Sequence, residues 1–439
     1  LKKKKSTQPT GVLERAGKLL KLAGSLTRQE VAHRLGDRDA GGSAITRLKQ
    51  AATLVQELSH MKGAAMKVGQ MLALEARDYL PDEVVQVLEQ LQNKASFMAF
   101  DEVDEILRSD LGKKRSQLRE LSEEPIAAAS IGQVHRAEIE KNGTMVPVAV
   151  KVQYPGIRDS IHSDVKILGV VLKGLTTVFR REIEIEGLLE EFAEVFVQET
   201  DYEQEAQAAI DYRKAAATLA GVVVPRVHLG LSTARVLTMD YEPGLTLTQW
   251  IRQTHPTPAR RLELGALILE LYSREFCEWG LVQTDPNPGN FLIRPETGEL
   301  ILLDFGATKR YSKEFRIQYS RLIMAIFTKD TNKVMDAALK MALLDPRESA
   351  AAQKAFQALV FESMRPIALN RFDFTDQEHV QKVRTLSQNL LKELRFSAPP
   401  KDLIFLHRKL GGVYQMLRQL EVDLELGSYL SRFEELSTQ

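Results

Sequence analysis

Asp285 is followed by Asn290 five positions on, and Asp304-Phe305-Gly306 comes after a short apolar run. These residue types at this spacing suit phosphoryl transfer. One carboxylate, Asp285, faces the acceptor or a water, while the amide oxygen of Asn290 and the carboxylate of Asp304 hold Mg²⁺ on the phosphates of ATP or ADP. Asp-Phe-Gly alone is a weak signal, because any strand-end turn can contain it. The two signatures in this order, bridged by Phe291-Leu292-Ile293 and Leu300-Ile301-Leu302-Leu303, are a much stronger one.

The elements that must position these groups follow the pattern of a protein kinase. Val148-Ala149-Val150-Lys151 reads as a buried strand ending in the lysine that grips the α/β-phosphates. Ahead of it, Ala127-Ala128-Ala129-Ser130 occupies the hairpin that a kinase fills with glycine. Cβ atoms there restrict how closely the backbone approaches the phosphates. Glu186 to Lys214 reads as one long acidic helix, and Glu205 is its candidate to reach Lys151. Val222-Val223-Val224-Pro225 and Arg235 to Met239 read as strands. Asp240 to Gly244, with Asp240 and Glu242, supplies a hinge whose backbone would hydrogen-bond adenine. Pro258 to Trp279 reads as a long helix with the catalytic segment at its end. Residues 312–439 read as amphipathic helices broken at Pro399-Pro400 and Gly411-Gly412, with no chemistry of their own. His407 and Arg408 count there as packing or surface residues.

Upstream, Leu54, Leu58, Met61, Ala65, Val68 and Leu72 form one helical stripe. Lys67 and Gln70 share another face of that helix. Taken alone, they are ordinary polar-face residues. Pro81-Asp82-Glu83 reads as the next helix start. Phe100 to Leu111 reads as a helix closed by Gly112.

With 439 residues, 44% of them hydrophobic, the chain is long enough for two or three domains around a large core. The one cysteine, Cys277, rules out an internal disulfide framework and fits a reducing compartment. Its apolar surroundings read as those of a buried structural thiol. Residues 1–50 carry 12 Lys and Arg against 4 Asp and Glu, a net +8, which leaves −8 for the remainder. That arm is either solvated or drawn to an anionic membrane surface. A nucleic-acid partner is not expected, since no basic patch interleaved with aromatics occurs. No stretch reads as a transmembrane helix or signal peptide. The sequence opens on Leu1 rather than Met, which reads as a trimmed start.

Lys67-Val68-Gly69-Gln70, Ala127 to Ser130, Val148 to Lys151, Glu199-Thr200-Asp201-Tyr202, Asp285 to Asn290 and Asp304-Phe305-Gly306 together resemble the UbiB/ADCK family. These are atypical kinase-like proteins tied to ubiquinone biosynthesis. The resemblance covers at least residues 60–306, and Pro399 to Gly412 is similar to the family's C-terminal segment. It implies that Lys151 and Glu205 form the phosphate-lysine pair, that Asp285 is the catalytic-loop Asp, and that Asn290 and Asp304 are Mg²⁺ ligands. It further implies that the helix with Lys67 and Gln70 lies across the active site and meets Glu199 and Asp201. The expected fold is α+β, bilobal and protein-kinase-like. A helical extension would span 1–112, an N-lobe 113–242 and a mostly helical C-lobe 243–439.

The expected activity is Mg²⁺-dependent ATP binding with phosphoryl transfer to water or to a small, lipid-like acceptor such as a prenyl lipid or quinone precursor. Protein phosphorylation ranks lower. Gln283-Thr284 replaces the usual His-Arg, and no Ala-Pro-Glu segment follows to dock a peptide. The competing class is a non-catalytic pseudokinase scaffold that binds nucleotide and lipid, against which the four intact residues Lys151, Asp285, Asn290 and Asp304 argue. The expected location is cytoplasmic with peripheral membrane contact, or mitochondrial in a eukaryote. Some bacterial relatives in the family have C-terminal membrane spans, and integral attachment is not expected here.

Overall fold

The computed structural model describes residues 97–129, 131–159, 161, 165, 197, 200–285, 287–397 and 400–439. The expectations placed on Lys67, Gln70, Ser130 and Glu199 lie outside these residues. The chain divides into two compact units, Leu1–Glu203 with His228–Thr238 and Gln204–Val227 with Met239–Gln439.

In the first unit, helix α1 (Phe100–Leu111) opens on Asp101 and Glu102 and closes at Gly112, whose φ of 55° suits glycine. Its buried Val103, Ile106, Leu107 and Leu111 recur every three or four residues. They join Ala137, Ile139, Val148, Val150 and Val152 in one core. Each Val, Leu or Ile side chain among them contributes about 1.5–3 kcal/mol on burial. The helix expected to end the N-terminal extension thus shares the core of the sheet behind it. Asp110 ties it to Thr233 at 2.9 Å and to Arg235.

The sheet has the order β1 (Ala127–Ala128), β2 (Gly132–Lys141), β3 (Thr144–Gln153), β5 (Val236–Asp240). Strands β2 and β3 pair from Gly132↔Gln153 to Lys141↔Thr144. Their turn, Asn142-Gly143, takes positive φ at both residues, the conformation that suits a two-residue hairpin. Side chains alternate across a strand, so Val148, Val150 and Val152 face the core while Lys151 and Gln153 point to the opposite face.

Helix α2 runs from Tyr202 to Ala216, which corrects the expected single helix from Glu186 to Lys214. Thr200 is in a turn whose N–H and hydroxyl both go to the Val197 carbonyl. The Asp201 carboxylate accepts from the Glu203 N–H at 3.1 Å, as an N-cap does. Local side-chain capping therefore starts a helix where the acidic pattern suggested mid-helix.

In the second unit, a four-stranded sheet has the order β4 (Val222–Val223), β9 (Leu300–Leu302), β8 (Phe291–Ile293), β6 (Leu245–Thr246). A separate ladder pairs β7 (Leu281–Gln283) with β10 (Thr308–Arg310). Helix α3 (Leu247–Thr254) starts with a capping box between Thr246 and Gln249. Helix α4 (Pro258–Arg274) starts with Thr257 as cap and Pro258 in the first turn. It ends in a π turn, Glu275–Trp279, before β7.

Helices dominate after β10, including α5 (Lys313–Phe327), α6 (Thr331–Lys340), α7 (Ala350–Ser363), α8 (Arg365–Ala368) and α9 (Gln377–Glu393). Helix α10 (Lys401–Leu420) runs straight through Gly411-Gly412, where a break was expected. Two interior glycines cost about 1 kcal/mol each relative to Ala. Burial of Leu403, Leu406, Val413, Met416, Leu417 and Leu420 on both sides of them outweighs that. Among the described residues, no helix is long and apolar enough to cross a membrane.

Candidate active site

The site in the second unit is built on two ladders. In the β8–β9 hairpin Phe291 pairs with Leu302, so Asn290, just before β8, lies opposite Leu303, just after β9. A hydrogen bond of 3.0 Å from the Leu303 N–H to the Asn290 carbonyl continues the register. Asn290 and Asp304 therefore emerge side by side at one end of the hairpin. In the other ladder Gln283 pairs with Thr308, so the strand entering the catalytic loop lies against the strand that leaves Asp304-Phe305-Gly306.

Within the loop, Asn290 Nδ2 donates to Asp285 Oδ2 at 2.5 Å, and Asp285 Oδ1 accepts from the Asn287 N–H at 3.3 Å. With its NH₂ on Asp285, the Asn290 amide has its oxygen left to face a cation. Asp304 accepts from the Gly306 N–H at 3.0 Å, which fixes the turn. One amide oxygen and one carboxylate suit Mg²⁺, which takes its remaining ligands from water and phosphate rather than from an all-protein cage. Among the described residues, no cluster of three His, Cys, Asp or Glu forms such a cage.

Glu205, on α2, is 3% exposed, and its Oε1 accepts from the Phe305 N–H at 3.5 Å. Seven residues on, Tyr212 lies on the same helix face, with its ring 5.1 Å from that of Phe305. Its hydroxyl donates to Glu275 Oε1 at 2.7 Å. Burial first, and then the Glu275 charge, push the Tyr212 phenol well above its ordinary value, so it stays a donor. Glu205 and Tyr212 together hold the Asp304-Phe305-Gly306 turn.

Lys151 belongs to the first unit. It is 7% exposed, with its ammonium 4.9 Å from the Tyr202 ring centre. In the same unit, Ala127 and Ala128 pair with Val134 and Gln133, and the Ala129 N–H closes the turn on the Gly132 carbonyl at 2.9 Å. In the expected hinge, the Asp240 N–H is committed to the Arg226 carbonyl at 2.9 Å. The Glu242 side chain pairs with Arg294 at 2.5 Å.

Helix α10, expected to hold no chemistry, supplies two cations, one to Asp285 and one to Glu275 and Gln283 ahead of it. Arg408 donates to Asp285 Oδ1 at 3.2 Å, with both side chains largely buried. Lys409 pairs with Glu275 at 3.0 Å and reaches Gln283 Oε1 at 3.3 Å. Reading Arg408 as packing or surface is thus corrected: its guanidinium pairs with the Asp285 carboxylate. Arg408, Lys409 and Glu275 were missed because their partners lie 123 to 134 positions away. One local signal was available for Lys409. It interrupts the stripe Leu406, Lys409, Val413 at a spacing of three and four, where an apolar residue belongs. His407, between them, is exposed.

The family model for the ABC1 atypical kinase-like domain matches residues 90–338, which include every residue of the loop and hairpin just described. The chain belongs to this family. Its fold is accordingly protein-kinase-like, with mixed α/β structure and a helical C-terminal part. The mitochondrial atypical kinase coq-8 of Caenorhabditis elegans is 32% identical over 87% of this chain and 50% of its own length. The mitochondrial atypical kinase COQ8B of Rattus norvegicus is 33% identical over 88% of this chain and 72% of its own. The chain thus spans half of one ABC1 relative and nearly three quarters of another. Among solved structures, the complex of Mycobacterium tuberculosis Rv3197 with erythromycin is similar at a TM-score of 0.59. Its identity is 26%, and the likeness covers 89% of this chain and 96% of that one.

Proposed function

We propose that this ABC1 protein is an Mg²⁺-dependent, ATP-binding enzyme. It would transfer the γ-phosphoryl group to water or to a small, lipid-like acceptor in support of ubiquinone biosynthesis. The observation that carries this reading is the Asp285–Asn290 contact beside Asp304 at the end of the β8–β9 hairpin. It supports the reading because a carboxylate that would face the acceptor lies beside two groups whose oxygens would hold Mg²⁺. Bound MgATP would supply the phosphoryl group and the charge that neutralises it. Asn290 and Asp304 would hold the metal, with Glu205 holding the turn after Asp304 through the Phe305 N–H. Asp285 would accept the proton from the attacking hydroxyl or water. Arg408, 3.2 Å from Asp285, keeps that carboxylate oriented.

A protein acceptor fits less well, although one relative, from Dictyostelium discoideum, is named a probable serine/threonine-protein kinase. In this chain Gln283-Thr284 takes the place of His-Arg, and the Thr284 hydroxyl is spent on the Ala307 carbonyl at 2.6 Å. The names of several relatives place them in mitochondria, which fits a reducing compartment close to an anionic membrane.

The test compares the parent with Asp304→Asn in thermal shift and phosphate-release assays, with and without prenyl lipid. MgATP at 100 times its Kd should stabilise the parent by about 2.7 kcal/mol. Asp304→Asn should lose most of that, since one metal charge goes uncompensated. Equal stabilisation of both proteins would refute the metal assignment. Nucleotide binding with no phosphate release under any condition would favour the pseudokinase scaffold.

A further inference from the structure

Beneath the catalytic loop lies a buried charge pair that no step above uses. Glu275 is 0% exposed and Lys409 2%. The ammonium donates to Glu275 Oε1 and to Gln283 Oε1, each at 3.3 Å, and forms an ion pair with Glu275 Oε2 at 3.0 Å, over the face of the Phe291 ring. Glu275 Oε1 also accepts from the Gln283 N–H at 2.9 Å. A buried ion pair of this kind is seldom more stable than apolar side chains of the same volume, so stability alone does not account for it.

What the pair can do follows from hydrogen-bond polarity. A carboxamide has one accepting face and one donating face, and an ammonium only donates. Lys409 therefore forces the Gln283 oxygen toward itself and the NH₂ toward the loop. There Gln283 Nε2 donates to the Asp285 carbonyl at 3.0 Å and the Asp304 carbonyl at 3.4 Å. One NH₂ group thus ties the backbone of the proton-accepting residue to that of the metal-binding residue. We propose that Lys409 is a positioning residue: through Gln283 it sets the spacing of Asp285 and Asp304. The inference rests on the functional reading above and adds to it a part outside the matched 90–338 region.

Lys409 is itself anchored by the start of α10. Lys309 on β10 pairs with Asp402 at 2.6 Å, and the Tyr311 hydroxyl donates to the Asp402 carbonyl at 3.0 Å. The π turn at the end of α4 presents Glu275 to the same point. Helix α10 and the π turn therefore form a floor under β7 and β10.

The experiment measures nucleotide affinity with and without Mg²⁺, turnover, and thermal stability in the full chain. The double variant Glu275→Gln with Lys409→Met leaves no buried charge unpaired and keeps an acceptor for Tyr212 and the Gln283 N–H. It should bind Mg²⁺-free nucleotide as the parent does. Its Mg²⁺-dependent affinity and its turnover should fall about 10-fold or more, as for other groups that orient a metal ligand set. Lys409→Arg should retain most of both. Gln283→Glu, which keeps the oxygen on Lys409 but removes the NH₂, should show the same selective loss, and it decides the question if the double variant does not fold. Parent-like Mg²⁺ dependence and turnover in either variant would overturn the proposal. A parent without Mg²⁺-dependent nucleotide binding would instead overturn the functional reading on which it rests.

Discussion

At the scale of residues, Asp285 is held from two directions. Asn290 comes from five positions away and Arg408 from 123. The first contact fixes one carboxylate oxygen within the loop, and the second brings a cation that the loop sequence Asp285 to Asn290 lacks. The one cysteine shows the opposite case, a reactive residue type made inert by its surroundings. Cys277 is in the π turn, and burial pushes its thiol up to about 12. At pH 8 about one molecule in ten thousand would carry the thiolate, which is the reactive form. Ellman's reagent should therefore leave the native protein unmodified and react with one thiol per chain once guanidinium is added. Fast reaction of the folded protein would contradict the placement of Cys277.

At the scale of elements, the hairpin before Lys151 depends on one close approach. A Cβ on Gly132 would stand 2.3 Å from the Val152 carbonyl oxygen and 3.0 Å from the Tyr202 hydroxyl. The Ala-rich turn can dispense with glycine at 127–129, yet the strand that follows cannot at 132. Gly132→Ala should destabilise by about 1–3 kcal/mol, the usual cost of forcing atoms into a packed site. The shift would be read from the urea midpoint. A change within about 0.5 kcal/mol, as expected of a neutral surface substitution, would mean that β2 and β3 are further apart there.

At the scale of the whole molecule, charge is segregated along the chain. Residues 1–50 carry +8 and the remainder −8, although the sum is zero. Each Lys or Arg near an anionic lipid surface contributes about 1 kcal/mol, and the attraction decays within a Debye length. The full chain should sediment with vesicles of phosphatidylcholine and phosphatidylserine at low salt, and much less with phosphatidylcholine alone. Deleting residues 1–50 should abolish the binding, and raised salt should weaken it. Salt-independent binding to both kinds of vesicle would point to an apolar contact instead.

The sequence by itself determined what is local. That Asp285, Asn290 and Asp304 come together is legible because they keep a fixed spacing around one strand-turn-strand segment. The helix Phe100–Leu111 and the strand ending near Lys151 are legible because their apolar residues repeat at 3.6 and 2. Only the tertiary structure decided where distant cations go. Arg408 and Lys409 have no motif, and their roles exist only once α10 packs under β7. The same packing carries α10 through Gly411-Gly412 against local propensity. The start of α2 at Tyr202 depends on a side-chain cap and a backbone partner, the Ala234 carbonyl, rather than on the acidic pattern around it. Propensity and spacing act over a few residues at a few tenths to about 1 kcal/mol each. Burial and long-range pairing, summed over a core, are larger, and they depend on which distant residues meet.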